Sequence, residues 1–147
     1  MPLVIFLCCL LVIATTVLHY EVLRSLNTWL PSFQMPERAK LVVVILAAFV
    51  AHAAEMAIYG ATLYALVIWG GVGTLQGTPD FSLMACMYFS AETYTSLGFG
   101  DLTPVGPIRL LAAVEALNGL LLIGWSASFT YISMERFWRD APGAPKG

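Results

Sequence analysis

Three stretches of this chain are apolar for longer than a soluble helix needs, and the polar residues between them fall in short clusters. The first stretch runs from about Leu3 to Leu23, the second from about Leu41 to Trp69, and the third from about Pro107 to Trp138. Each is long enough to cross the roughly 30 Å hydrocarbon core of a bilayer as one helix. After the first comes RSLNTWLPSFQMPERAK, where Pro31 and Pro36 stop helices and Trp29 suits a membrane interface. After the second comes WGGVGTLQGTPD, a run of turn formers that reads as an exposed loop. A shorter helix follows over residues 79–95, with Thr78 as N-cap and Pro79 in the first helical position.

Composition agrees with membrane insertion. With 59% hydrophobic and 11% charged residues, the chain lacks the charge that a soluble domain of its size exposes. A formal charge of -2 gives no reason to expect a nucleic-acid partner. Cys8, Cys9 and Cys86 have no metal-binding spacing and read as small buried hydrophobes. The N-terminal run lacks a basic leader and a cleavage site before a soluble domain, so it reads as a retained helix.

Arg24, Arg38 and Lys40 flank the first connection, and Arg136, Arg139 and Lys146 mark the C-terminus. The positive-inside rule puts both regions in the cytoplasm and the N-terminus outside, in an inner membrane. Residues 70–106 then begin and end outside. The short helix cannot cross; it must dip in and return as an extended strand. Non-helical backbone at membrane depth survives only when buried in protein or lining a watery cavity. The expected organisation is a peripheral helix over 1–24, a cytoplasmic connection over 25–40 and a main membrane unit over 41–138. Within that unit lie an outer helix over 41–69, a re-entrant helix over 79–95, a returning strand over 96–101 and an inner helix over 107–138. Residues 139–147 are expected to form a short cytoplasmic tail.

The strand that returns is Ser96-Leu97-Gly98-Phe99-Gly100-Asp101. It resembles the selectivity-filter signature of potassium channels, TVGYG, whose carbonyl oxygens replace the ion's hydration shell. Stacked carbonyls that all face one axis need alternating backbone conformations, which explains glycine at 98 and 100. The wider stretch SAETYTSLGFGD resembles the pore of bacterial two-transmembrane-type potassium channels, in particular the small proton-gated kind.

The resemblance implies an all-α transmembrane protein: three transmembrane helices plus a re-entrant pore helix and an extended filter strand, assembled as a homotetramer in the lipid bilayer. K+ would sit at the carbonyls of Ser96, Leu97, Gly98 and Phe99. Ser96 would also supply the hydroxyl that threonine gives in the family. Glu92 and Asp101 occupy the positions of a paired pore-helix carboxyl and post-filter aspartate. Tyr88, Phe89 and Thr95 would support the filter, with Phe99 in place of the usual tyrosine and Phe89 in place of a tryptophan. Gly119 falls at the family's hinge position, followed by Gly124. Leu120, Ile123 and Ala127 would line an apolar cavity. No cofactor beyond the permeant ion, no small-molecule substrate and no catalytic residue are implied.

The second segment carries two stripes at helical spacing. Ala47, Ala51, Ala54, Ala57, Ala61 and Ala65 suggest close packing. His52, Glu55, Tyr59 and Thr62 form a polar stripe whose ionisable members lie near the midplane. The pair His52 and Glu55 reads as a hydrogen-bonded lock, a proton sensor or part of a metal site. Glu115, Asn118 and His19 are the candidate partners. Three functions outside the potassium-channel reading remain: a weakly selective cation channel, a membrane metalloenzyme built on His52 and Glu55, and a non-conducting pore-like subunit.

Overall fold

Proline and serine set the helix boundaries. The computed structural model describes residues 1–77 and 80–139, the last by its backbone alone. Thr78, Pro79, Lys146 and the tail from 140 lie outside the described residues, as does the side chain of Arg139.

Helix α1 spans Pro2–Trp29 and opens on a proline, which costs nothing where no N–H partner exists. It runs beyond the expected end at residue 24, because nothing before Pro31 breaks it. A single 3-10 turn over Leu30–Ser32 comes next, so the connection expected over 25–40 is largely helical. Helix α2 spans Glu37–Ile68, with Pro36 just before it and Glu37 placed where the helix dipole favours an acid. Helix α3 spans Leu83–Tyr94, and its N-cap is Ser82, whose hydroxyl accepts from the Ala85 N–H at 3.2 Å. It therefore starts four residues later than the 79–95 expected. Helix α4 spans Ile108–Arg139.

At about 1.5 Å per residue, the 28 residues of α1 and the 32 each of α2 and α4 extend about 42–48 Å. That exceeds the hydrocarbon thickness, so these helices tilt or project into the headgroups. All three are long and apolar enough to span. Their outer faces carry exposed Phe6, Ile13, Phe49, Val50, Leu121 and Ile132, surface that suits lipid and not water. Trp29, Trp69 and Trp138 sit exposed at helix ends, where interfacial tryptophan belongs.

Helix α3 is wedged against α2 and α4, and α1 packs on both α2 and α4. The buried face of α1 is a single stripe: Val4, Cys8, Leu11, Thr15, His19 and Leu23. The main apolar core joins Cys8 and Leu11 to Tyr59, Leu63, Cys86, Phe89, Leu111 and Leu122. The alanine stripe of α2 is not uniformly packed. Ala51 is buried, but Ala57 and Ala61 are not, and the face turned inward carries Ala48, Glu55, Tyr59, Gly60 and Leu63.

Loop residues 74–76, expected to lack structure, form strand β1 (Thr74–Gln76). It pairs antiparallel with β2 (Thr103–Val105), with Leu75 opposite Pro104. This ribbon ties the chain just after the glycine-rich segment to the loop just before α3.

Between two helices, the closest approach at a glycine lies between α3 and α4. A Cβ placed on Gly119 would lie 2.1 Å from the Tyr94 carbonyl oxygen and 2.9 Å from the Tyr94 ring. Packing alone therefore accounts for glycine at 119. At Gly124 nothing lies within 4 Å of such a Cβ. Gly119→Ala is expected to destabilise the protein by about 1–3 kcal/mol through overpacking against a backbone atom. Gly124→Ala is expected to be neutral or to stabilise by up to about 1 kcal/mol. Thermal unfolding of the two variants in detergent checks this, with Gly119→Ala melting clearly lower.

Candidate functional site

Helix α3 ends where the glycine-rich segment begins. Thr95 caps it, its hydroxyl donating to the Ala91 carbonyl at 2.7 Å. The chain then turns back on the helix end. The Ser96 N–H donates to the Thr93 carbonyl at 3.0 Å, and the Leu97 N–H to the Glu92 carbonyl at 3.0 Å.

Beyond that point the backbone is irregular, not the β-strand an extended reading would give. Ser96, Gly98 and Gly100 have φ of 57°, 54° and 82°, so every second residue is left-handed. Glycine carries this at 98 and 100 without side-chain penalty, while Ser96 bears a cost of about 1–2 kcal/mol. Such alternation turns successive carbonyls to one side of a chain. Residues 95–101 are all exposed on the single subunit. The Phe99 ring lies parallel to that of Tyr88 on α3, centroids 6.5 Å apart. Phe89 instead is buried in the apolar core.

Glu92 is buried, and its Oε1 is the one buried side-chain polar atom without a partner among the described residues. The Asp101 Oδ1 accepts the Leu102 N–H at 3.1 Å. The described residues show no direct bond between these two carboxyls. The Tyr88 hydroxyl approaches both. Its hydrogen bond to Glu92 first, then desolvation and the Asp101 charge, push the phenol up to about 12, so it stays a donor.

Deeper in the bundle, buried polar side chains tie the four helices together at three places. Glu115 of α4 meets the Ser90 hydroxyl of α3, which also reaches the Met56 carbonyl of α2 at 2.7 Å. Asn118 of α4 donates to Thr15 of α1 at 2.8 Å and to Tyr59 of α2 at 3.2 Å. Glu55 of α2 faces His19 Nδ1 at 2.9 Å, His52 Nδ1 at 3.2 Å and the Tyr94 hydroxyl. Ser126 of α4 meets both imidazoles from the other side, at 3.0 Å from His19 Nε2 and 3.1 Å from His52 Nε2. Of the three candidate partners for His52 and Glu55, only His19 reaches them. Glu115 and Asn118 bind elsewhere.

Residues 39–136 match the profile of a family described as ion channel. The chain belongs to that ion channel family. It is a family of channels, not of enzymes, and the protein is an integral membrane protein. A curated relative is the inward rectifier potassium channel Kirbac3.1 of Paramagnetospirillum magnetotacticum, 32% identical over 82 residues. That match covers 55% of this chain and 27% of the relative, so the chain spans about a quarter of the length of the curated relative it matches. No solved structure matches.

On this channel's α4, Leu120 and Ala127 are exposed on the single subunit, whereas Ile123 is half-buried against the apolar core. Ser90 and Tyr94 fall within SAETYTSLGFGD without a contact assigned to them there, and Thr15 and Ser126 lie in no motif. Thr15 and His19 stand one helical turn apart on the buried face of α1, and Glu115, Asn118 and Ser126 are the buried polar positions in the first part of α4. That shared register of isolated polar residues is the available signal.

Ser90 has a single proton and two oxygens to satisfy, so Glu115 must itself be protonated for both contacts to be hydrogen bonds. Glu115→Gln keeps a neutral donor and is expected to leave the melting temperature within a few degrees. Glu115→Ala strands the Ser90 site and opens a cavity, and should cost about 2–4 kcal/mol. Thermal unfolding of both in detergent distinguishes a neutral from an ionised carboxyl: a large loss in the glutamine variant would contradict the protonated form.

Proposed function

We propose that the protein is a potassium-selective channel, in which four copies bring their residues 96–101 around one axis and K+ passes between the carbonyls of Ser96, Leu97, Gly98 and Phe99. The observation that carries this is the left-handed alternation at Ser96, Gly98 and Gly100 directly beyond a short helix between two spans. A ring of carbonyls around a dehydrated cation needs such a backbone, and one chain supplies one quarter of it. The curated relative is a potassium channel, which supports potassium as the ion.

In this reading the C-terminal end of α3 carries partial negative charge toward the cavity below and favours a cation there. Tyr88, Glu92, Thr95 and Asp101 hold the filter from behind, and the β1–β2 ribbon holds its outer end. Leu120, Ala127 and the exposed side of Gly124 line the cavity or a neighbouring subunit. The pore unit covers residues 41–138, with the N-terminus outside and both basic clusters in the cytoplasm.

A weakly selective cation channel is the second reading. Phe99 offers no hydroxyl, and its wall contact is a ring stacked on Tyr88, a softer support than a hydrogen bond. Proteoliposome recordings under bi-ionic potassium and sodium decide between the two. A large shift of reversal potential toward potassium supports the first reading; a value near zero favours the second.

Gly98→Ala is expected to abolish potassium flux while the protein still assembles. Its strain is backbone strain alone, with no neighbouring atom in the way. Native mass spectrometry of the purified protein should show four chains. A dimer or trimer as the only species would refute the filter geometry, because each chain carries a single such segment.

A further inference from the structure

We propose that His19, His52 and Glu55 form a binding site for a divalent transition cation of the zinc class, one in each subunit, between α1 and α2. His19 and His52 turn their Nδ1 atoms toward the two oxygens of the same carboxylate. One donor atom from each of the three residues lies within 4.8 Å of the others, and His19 and Glu55 are fully buried. A tetrahedral zinc with ligands at about 2.0–2.1 Å holds its donors about 3.3 Å apart. Each imidazole already stands 2.9 or 3.2 Å from a carboxylate oxygen, and the group closes on a shared ion from within its 4.8 Å spread. The Tyr94 oxygen, 2.9 Å from His52 Nδ1 and in contact with Glu55, is placed to be the fourth donor.

The outer side of the cluster is the second observation. Both Nε2 atoms face the single hydroxyl of Ser126.

A metal at the Nδ1 atoms would use that arrangement. Each imidazole then keeps its proton on Nε2 and donates it to Ser126, the outer hydrogen bond that ligating histidines ordinarily make. The Ser126 proton is freed for another acceptor. Glu55 contributes one negative charge, and ionisation of Tyr94 on coordination contributes the second, its proton leaving to water. The site is then neutral overall, as membrane depth demands. In the sequence only two of these ligands stand side by side; α1 brings the third.

The inference does not depend on which ion the filter conducts. The full-length protein, purified in detergent, is loaded with zinc, desalted and analysed for metal content. The expected result is about one zinc per chain, with cobalt substituting and giving the strong visible absorption of a four-coordinate site. His19→Gln should fall to background, while Cys9→Ser should keep the metal. A wild-type protein at background, or undiminished zinc in a folded His19→Gln, overturns the proposal. Where His19→Gln does not fold, Ser126→Ala provides the test. It retains every ligand but loses the shared acceptor, so zinc affinity should drop about 10–100-fold. An unchanged affinity in that variant overturns the proposal equally.

Discussion

Tyr94 is held at both ends. Its carbonyl presses on α4 at Gly119, and its hydroxyl is bound to Glu55 on α2. It is the last residue of α3, and the first left-handed residue of the glycine-rich segment lies two positions further on. With Ser90 tying the middle of α3 to the same two helices, this side chain and the absence of another at 119 fix the end from which that segment leaves. A hydroxyl bond alone would let the helix end pivot, and packing on glycine alone would let it slide. Together they fix α3 relative to α2 and α4, and the backbone beyond inherits that frame. The β1–β2 ribbon holds the other end, so the irregular segment is a span between two anchors and needs no regular hydrogen bonding of its own.

The bilayer explains why the anchoring is polar. Between apolar faces surrounded by lipid there is no hydrophobic gain in choosing one helix partner over another. Specificity has to come from shape and from hydrogen bonds that water cannot replace. The three polar ties supply it in register: Ser90 with Glu115, Asn118 with Thr15 and Tyr59, and Glu55 with its two histidines. Sliding α4 by one turn would strand Glu115, Asn118 and Ser126 at once. Each stranded group would cost about 1–3 kcal/mol.

The fold is legible in the sequence where one physical rule acts locally. Apolar length marks the three spans, proline marks their breaks, and alternating glycines mark the irregular backbone. The start of α3 is not legible, because Thr78-Pro79 and Ser82 carry equally good capping chemistry and only tertiary packing selects between them. Alanine spacing on α2 promises close packing, yet the inward face is set by Glu55, Tyr59 and Gly60, which lie beside the stripe. The partner of His52 and Glu55 stays open among three residues, because pairing between helices depends on their relative axial position. The three-residue strands of the ribbon are too short to leave any periodicity.

The ties also divide α4 into two mechanically different halves. From Ile108 to Ser126 its buried positions include Leu111, Glu115, Asn118, Leu122 and Ser126, with the polar ones bonded to other helices. Beyond Ser126 the described residues bury only Ser133 and Phe137 on this helix. Local opening costs least where buried contacts and polar partners are fewest. Bending of α4 is thus cheapest on the far side of Ser126, away from the joint of Tyr94 with Gly119. Gly119, although it sits at the position where a hinge is expected, lies inside the rigid half, with the space of its missing side chain already occupied by Tyr94. Bending beyond Ser126 leaves the backbone at 96–101 in its frame. The three buried polar ties of α4 thus lie at or above Ser126, while the lower half is held by Arg136 on Asn27 and by Phe137 beside Leu30 and Val44.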